Sequence, residues 1–148
     1  MRLRTVEFVD IVRWRSRLPV TRPNDGELVG WTVSENYDES RVDGVNPVGH
    51  ALARELPVDD AVDVLVKNGL SSLSAPCWGR APLPLRADTD LRRPLHGWRW
   101  RRFVLVQLEE VRVWVRPAYP SWDERRIELP LQLPIDDVLV VEPPDDHE

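Results

Sequence analysis

The strongest periodic signal in the chain lies over residues 58–68. Val58, Ala61, Val62, Leu65 and Val66 recur at i, i+3, i+4, i+7 and i+8, which puts them on one stripe of an α-helix. Asp59 and Asp60 stand where negative charge favours a helix start, and Asn68-Gly69 offers a stop. The same periodicity predicts a helix over 46–56. Asn46 suits an N-cap, Pro47 suits the first helical position, Val48, Ala51, Leu52 and Leu56 are helically spaced, and Pro57 ends the run.

Elsewhere the pattern is mainly that of strands. In residues 3–14, Val6, Phe8, Val12 and Trp14 stand against polar Glu7 and Arg13, which favours a strand; a helix from near Thr5 competes, because Phe8, Ile11 and Val12 also form a helical stripe. Pro23-Asn24-Asp25-Gly26 has turn chemistry. Residues 27–33 then read as a strand with Val29, Trp31 and Val33 on one face and Trp31 buried, and 34–44 reads as an exposed acidic loop. Phe103 to Leu108 is a strand buried on both faces. Val111, Val113 and Val115 alternate with Arg112, Trp114 and Arg116. Glu109-Glu110 between the two lacks hairpin chemistry, so a hairpin and one long bulged strand are both open. Ile127, Leu129, Leu131 and Leu133 alternate with Glu128, Pro130 and Gln132, and Pro130 places that strand at an edge. Val138 to Val141 is a last short strand. Residues 71–98, with four prolines and no periodicity, read as an ordered surface excursion held by Leu83, Leu85 and Leu91.

The expected fold is α+β: a mostly antiparallel sheet of about five to six strands packed with two short helices, 46–56 and 58–68. A length of 148 residues fits one domain, expected over 1–142, with an acidic tail at 143–148. No apolar run is long enough to span a membrane, and Glu7 and Asp10 interrupt the N-terminus where a secretory signal would be apolar. Cys77 is the only cysteine, which suits a reducing compartment, and a cytoplasmic location is expected.

Charge adds a second pattern. Cations are 19 Arg against one Lys, the codon signature of a GC-rich bacterial genome. Arg pairs two-fold with carboxylate or phosphate and stacks on aromatic rings, which Lys does not. The net charge of −5 is sorted along the chain: +4 over 1–22, −7 over 23–91, +5 over 92–126 and −7 over 127–148. Such blocks arise when solvated faces neutralise each other, or when a bipolar surface steers a charged partner.

Residues 92–102 hold five of the arginines and two of the seven tryptophans. If that segment is extended, Trp98 and Trp100 share one face and Arg99 and Arg101 the other. Arg112, Trp114 and Arg116 repeat the pattern on what would be a neighbouring strand. These seven residues form the candidate binding surface, because Arg and Trp are enriched at the energetic centres of interfaces. The competing reading puts the indoles in the core beneath a solvated Arg face.

Catalytic signatures are sparse. There is no Gly-rich phosphate loop, no Gly-x-Ser-x-Gly and no His-Glu-x-x-His. His50 reads as a structural residue early in the helix over 46–56, and His147 falls in the tail. Asp88, Asp90 and His96 have the donor chemistry for a divalent metal, but Arg86, Arg92 and Arg93 flank them, and local Asp–Arg pairing is the simpler account. Cys77 would need a base such as His96 to act as a nucleophile, and packed cysteine is its default role. No metal or cofactor is therefore expected. The leading expectation is a non-enzymatic interaction module that binds another macromolecule, a protein partner or a second copy, as an accessory, neutralising or assembly subunit. One alternative is nucleotide or single-stranded nucleic-acid binding, which the net negative charge opposes. The other is a small transferase or hydrolase with a site in 71–98 built from Cys77, Asp88, Asp90 and His96.

Overall fold

Residues 11–34 and 40–144 are described by a computed structural model of the chain. A short helix α1 (Ile11–Arg15) leads into strands β1 (Leu18–Thr21), β2 (Leu28–Ser34), β3 (Arg41–Val45) and β4 (Ala51–Pro57). Helix α2 (Val58–Asn68) follows directly. Strands β5 (Cys77–Ala81), β6 (Arg99–Leu108), β7 (Arg112–Pro117) and β8 (Leu129–Gln132) complete the fold. The strands form two antiparallel four-stranded sheets, ordered β1-β2-β3-β4 and β5-β6-β7-β8. The class is α+β as expected, with the strands divided between two sheets.

Three layers result. Ala61 and Leu65 of α2 are fully buried against Val20, Val29, Val42 and Ala53 of the first sheet. The other face of that sheet contributes Val33 and Val45 to the main core, where they meet Phe103, Val113, Val115, Leu129 and Leu131 of the second sheet together with Trp14. Small residues let α2 approach closely. A Cβ on Gly30 would lie 3.0 Å from Leu65 Cδ2 of α2, and one on Gly69 would lie 2.0 Å from the Val29 carbonyl oxygen. Gly69 keeps right-handed helical dihedrals at the end of α2, so its role is close approach to β2 rather than a left-handed cap.

The helix expected over 46–56 does not form. The Asn46 side chain accepts hydrogen bonds from the backbone N–H groups of Val48 (3.2 Å) and His50 (2.9 Å), which is turn chemistry rather than helix capping. Gly49 takes φ +105°, and the backbone N–H of Asn46 bonds to the His50 carbonyl at 2.8 Å, closing the β3–β4 hairpin. An Asn followed by Pro suits both motifs, and pairing of β4 with β3 decides between them. His50 is thus a buried turn residue.

Smaller corrections follow the same logic. Of the strand expected over 3–14, residues 11–15 are helical, with Trp14 buried in the core and Val12 exposed; the rest lies outside the described residues. In the expected 34–44 loop, Ser34 ends β2 and Arg41–Val45 is β3, while 35–39 lie outside the described residues. A register shift opposite Val20 and Thr21 sends Val29 under α2, while Val33 and half-buried Trp31 join the inter-sheet core. The 71–98 excursion contains a 3-10 turn at Ser71–Ser74 and strand β5. β6 and β7 form a hairpin, with a bulge between Leu105 and Gln107. The strand expected over 138–141 reduces to a single bridge, Trp78 with Val140. β8, which carries Pro130, is an edge strand as expected.

Candidate interaction surface

Cross-strand pairing assigns side chains to the faces of the second sheet. Cys77 pairs with Phe103 and Leu105 with Val115, all on the core face. The intervening positions form the opposite face: Trp78 beside Arg102, Arg80 beside Trp100, Val104 beside Arg116, and Trp114 beside Pro130. No described helix or strand packs over this face, but Trp78 on it is buried, at 7% exposure, beside the loops that carry Leu83 and Tyr119. Arg80, Arg116, Pro130 and Gln132 are exposed on it, and Trp100, Arg102, Val104 and Trp114 are half-buried.

Arg102 is the centre of the arrangement. Its guanidinium lies 4.7 Å from the Trp78 ring centroid and 5.5 Å from that of Tyr119, and its Nη1 donates to the Tyr119 hydroxyl at 3.3 Å. The guanidinium therefore lies over both rings, an attractive electrostatic geometry. A cleft of about 290 Å³ opens here, lined by Trp78, Leu83, Trp100, Arg101, Arg102 and Tyr119. Leu83 and Tyr119 on its rim are each 73% exposed. Among the described residues, Arg80, Arg102 and Arg116 form no ion pair. No strand position on this face is acidic.

The seven expected binding residues divide. Trp100, Arg112, Trp114 and Arg116 stand on the open face. Arg112 forms a close ion pair with Glu109, and its guanidinium lies 5.2 Å from the Trp114 ring centroid; Trp114 Nε1 donates to the same carboxylate at 2.9 Å. These bonds, from Arg112 first, hold the Glu109 carboxyl below its ordinary pKa. Trp98 precedes β6, and its carbonyl accepts a bond from Arg80 Nη2 at 3.3 Å. Arg99 is the exposed first residue of β6.

Arg101 points the other way. Its Nη1 and Nη2 bond the two carboxylate oxygens of Glu124 at 2.6 and 2.8 Å, and Nη1 also donates to the Pro82 carbonyl at 2.9 Å. Glu124 is buried, and it also accepts the backbone N–H groups of Ser121 (2.9 Å) and Leu85. The Arg101 bonds, with those backbone donors, lower the Glu124 pKa from 4.5 to about 2. Arg101 thus ties the 82–98 loop to the 118–126 loop beside the cleft, holding its walls in place.

Sequence reading missed Trp78, Arg80, Arg102 and Tyr119. The alternation Trp78-Gly79-Arg80 was a usable signal, masked by the prolines around it. Arg102 was indistinguishable from Arg101 until the strand's two faces were assigned.

The catalytic candidates are separated. Cys77 is buried on the core face, and desolvation pushes its thiol up to about 11, away from the reactive thiolate. Asp88 pairs with Arg86 at 3.7 Å and Asp90 with Arg93 at 3.6 Å, and both carboxylates are exposed, as is His96. Among the described residues, no three His, Cys, Asp or Glu side chains gather closely enough to hold a metal ion. His50 Nε2 donates to the Leu139 carbonyl at 2.5 Å; burial lowers its pKa, so it acts as a neutral clamp on the 134–140 segment.

Comparison with protein-family models, curated proteins and solved structures returns no match. Among the described residues, no helix is long and apolar enough to cross a membrane.

Proposed function

We propose that this chain is a non-enzymatic interaction module of the cytoplasm that recognises an acidic protein partner through the open face of its second sheet. The observation that carries the reading is the trio Arg80, Arg102 and Arg116, without ion pairs among the described residues, set among half-buried Trp100 and Trp114 and exposed Tyr119, with buried Trp78 beneath Arg102, on a face that no described helix or strand covers. Guanidinium groups bind carboxylates two-fold, and half-exposed aromatic rings bury a large apolar area at small entropic cost. An acidic segment carrying an apolar or aromatic anchor matches both features, with the cleft beside Trp100 and Leu83 receiving the anchor. The sheet edges are less suited to strand addition. β1 carries Pro19, β8 carries Pro130, and the outer edge of β5 is bridged by Val140.

The test is capture of partners from the host by the wild-type chain, with Arg102→Glu and Trp100→Ala as controls, followed by titration of the identified partner. The expected partner is acidic, and it is lost with Arg102→Glu. A partner held equally by wild type and both variants overturns the proposal. Single-stranded nucleic acid is the second reading, favoured by the exposed Tyr119 beside arginines without ion pairs. It requires a steep loss of affinity with added salt and saturable binding of an oligonucleotide.

A further inference from the structure

We infer that the acidic partner docks as an extended segment, adding its backbone to β6 at Trp100 in a notch where β7 stops short. This deepens the interaction reading above and rests on it, because that reading supplies the acidic partner.

The hydrogen-bond parity of β5 and β6 locates the notch. Trp78 exchanges two backbone hydrogen bonds with Val140, at 2.7 and 2.8 Å, so its N–H and carbonyl point away from β6. Backbone groups alternate sides along a strand. Cys77, Gly79 and Ala81 therefore point toward β6, where they face Phe103, Arg101 and Arg99. Trp100 and Arg102 turn their backbone groups to the other side, toward β7. Arg102 finds a partner there, because its carbonyl accepts the Ala118 N–H at 2.9 Å. Trp100 does not. β7 ends at Pro117 and the chain bends at Ala118 and Tyr119, before the line of β7 reaches Trp100. Among the described residues, no hydrogen bond to the Trp100 backbone N–H or carbonyl completes the ladder on this side. The outer edges of β1, β8 and β5 are blunted by Pro19, Pro130 and Val140; this inner edge is not.

The surroundings select the occupant. A backbone donor and acceptor on one residue suit an extended chain, because a helix pairs its own backbone groups and leaves those of Trp100 unmet. Cross-strand neighbours share a face. The segment's residue opposite Trp100 therefore puts its side chain on the outer face, against the indole and over the cleft of about 290 Å³ whose rim carries exposed Leu83 and Tyr119. An apolar or aromatic side chain suits that position. Ala118 holds the next place in the same line, so the segment turns out over the open face there. That path carries its carboxylates past Arg102 and Arg116, which have no ion pair among the described residues.

The experiment uses the full chain and begins without a ligand. In amide hydrogen exchange followed by NMR, Trp100 is expected to exchange far faster than Arg101 and Phe103, whose backbone groups face β5. A protected Trp100 amide in the free chain overturns the inference, because the notch is then already filled. The next step uses displayed random peptides selected on the wild-type chain. The selected peptides are expected to carry Asp or Glu beside an apolar or aromatic residue, and their binding is expected to slow exchange at Trp100. Methylating the peptide's backbone nitrogens one at a time should weaken binding at least about fivefold at one or two central positions. The two readings fail separately. Acidic peptides that bind and are lost with Arg102→Glu, yet leave Trp100 exchanging freely or show no sensitive backbone nitrogen, sink this inference alone. Peptides that are not acidic, or that Arg102→Glu binds as well as wild type, sink the interaction reading and this inference with it. A selection that yields no binding peptide overturns both.

Discussion

The two sheets have the same number of strands and the same antiparallel pairing, yet their surfaces were built under different constraints. The first sheet is covered on both faces, by α2 on one side and by the second sheet on the other. Packing distance explains its residues. Gly30 and Gly44 lie where α2 approaches, Val33 and Val45 fill the opposite side, and buried Asp43 is paired with Arg13 at 3.0 Å. The second sheet has only one face explained in that way. Its outer face carries indoles and guanidinium groups that only local contacts, Arg102 over Trp78 and Arg112 and Trp114 on Glu109, hold in place. Half-exposed Trp and arginines without ion pairs add little to folding, and their grouping is what the proposed recognition role rests on. Comparing the two sheets separates residues that packing explains from residues that the proposed recognition role would explain.

That division can be broken by substitution, and the largest effect is expected at the cleft's support. Glu124→Ala leaves Arg101 without its partner and should cost roughly 3–5 kcal/mol in denaturant unfolding. Arg101→Glu should be at least as severe, so it reports on folding rather than on the surface. The same pair makes a pH test. The carboxylate pKa is depressed to about 2 from an ordinary 4.5, so its stabilisation is complete above about pH 4.5 and is lost as pH falls toward 2. Melting temperatures of wild type and Glu124→Gln should converge across that window.

Next in size is the helix-covered sheet. Leu65→Ala removes a fully buried side chain beneath α2 and should cost about 3 kcal/mol. Gly69→Ala places a methyl group against the Val29 carbonyl and should cost ~2 kcal/mol, read from the same unfolding curves. On the open face, Trp100→Ala and Arg102→Glu should change stability by no more than about 1 kcal/mol. They should nonetheless weaken partner binding at least about tenfold by titration calorimetry. The smallest effect belongs to the exposed loop, where Asp88→Asn should stay within about 0.5 kcal/mol because its pair with Arg86 is solvated. A large binding loss from Leu65→Ala at full folding, or none from Arg102→Glu, would erase the distinction between the sheets.

In the second sheet β7 and β8 were legible because they alternate cleanly, whereas β6, expected to be buried on both faces from Phe103 to Leu108, buries Phe103 and leaves Val106, Gln107 and Leu108 exposed beyond its bulge. Val113 and Val115 are buried between exposed Arg112 and Arg116, and Leu129 and Leu131 are buried between exposed neighbours. The candidate surface was legible as a composition and only half legible as a set of residues. The pattern set Trp100 opposite Arg101 across the strand; the structure adds that Trp100 shares its face with Arg102, Trp114 and Arg116, while Arg101 turns to Glu124. Those two arginines differ only in the side of the strand they occupy, and that depends on partners distant in sequence: Glu124 for one, Trp78 and Tyr119 for the other.

The amino-acid pattern alone determined helix α2, the alternation of β7 and β8 and the edge position of Pro130, because each follows from a local rule of period or backbone chemistry. The tertiary structure alone decided that residues 51–57 form a strand, that Arg101 turns to Glu124 and that Arg102 stands over two rings. In those segments the local preferences were balanced, and burial against residues far along the chain supplied the difference.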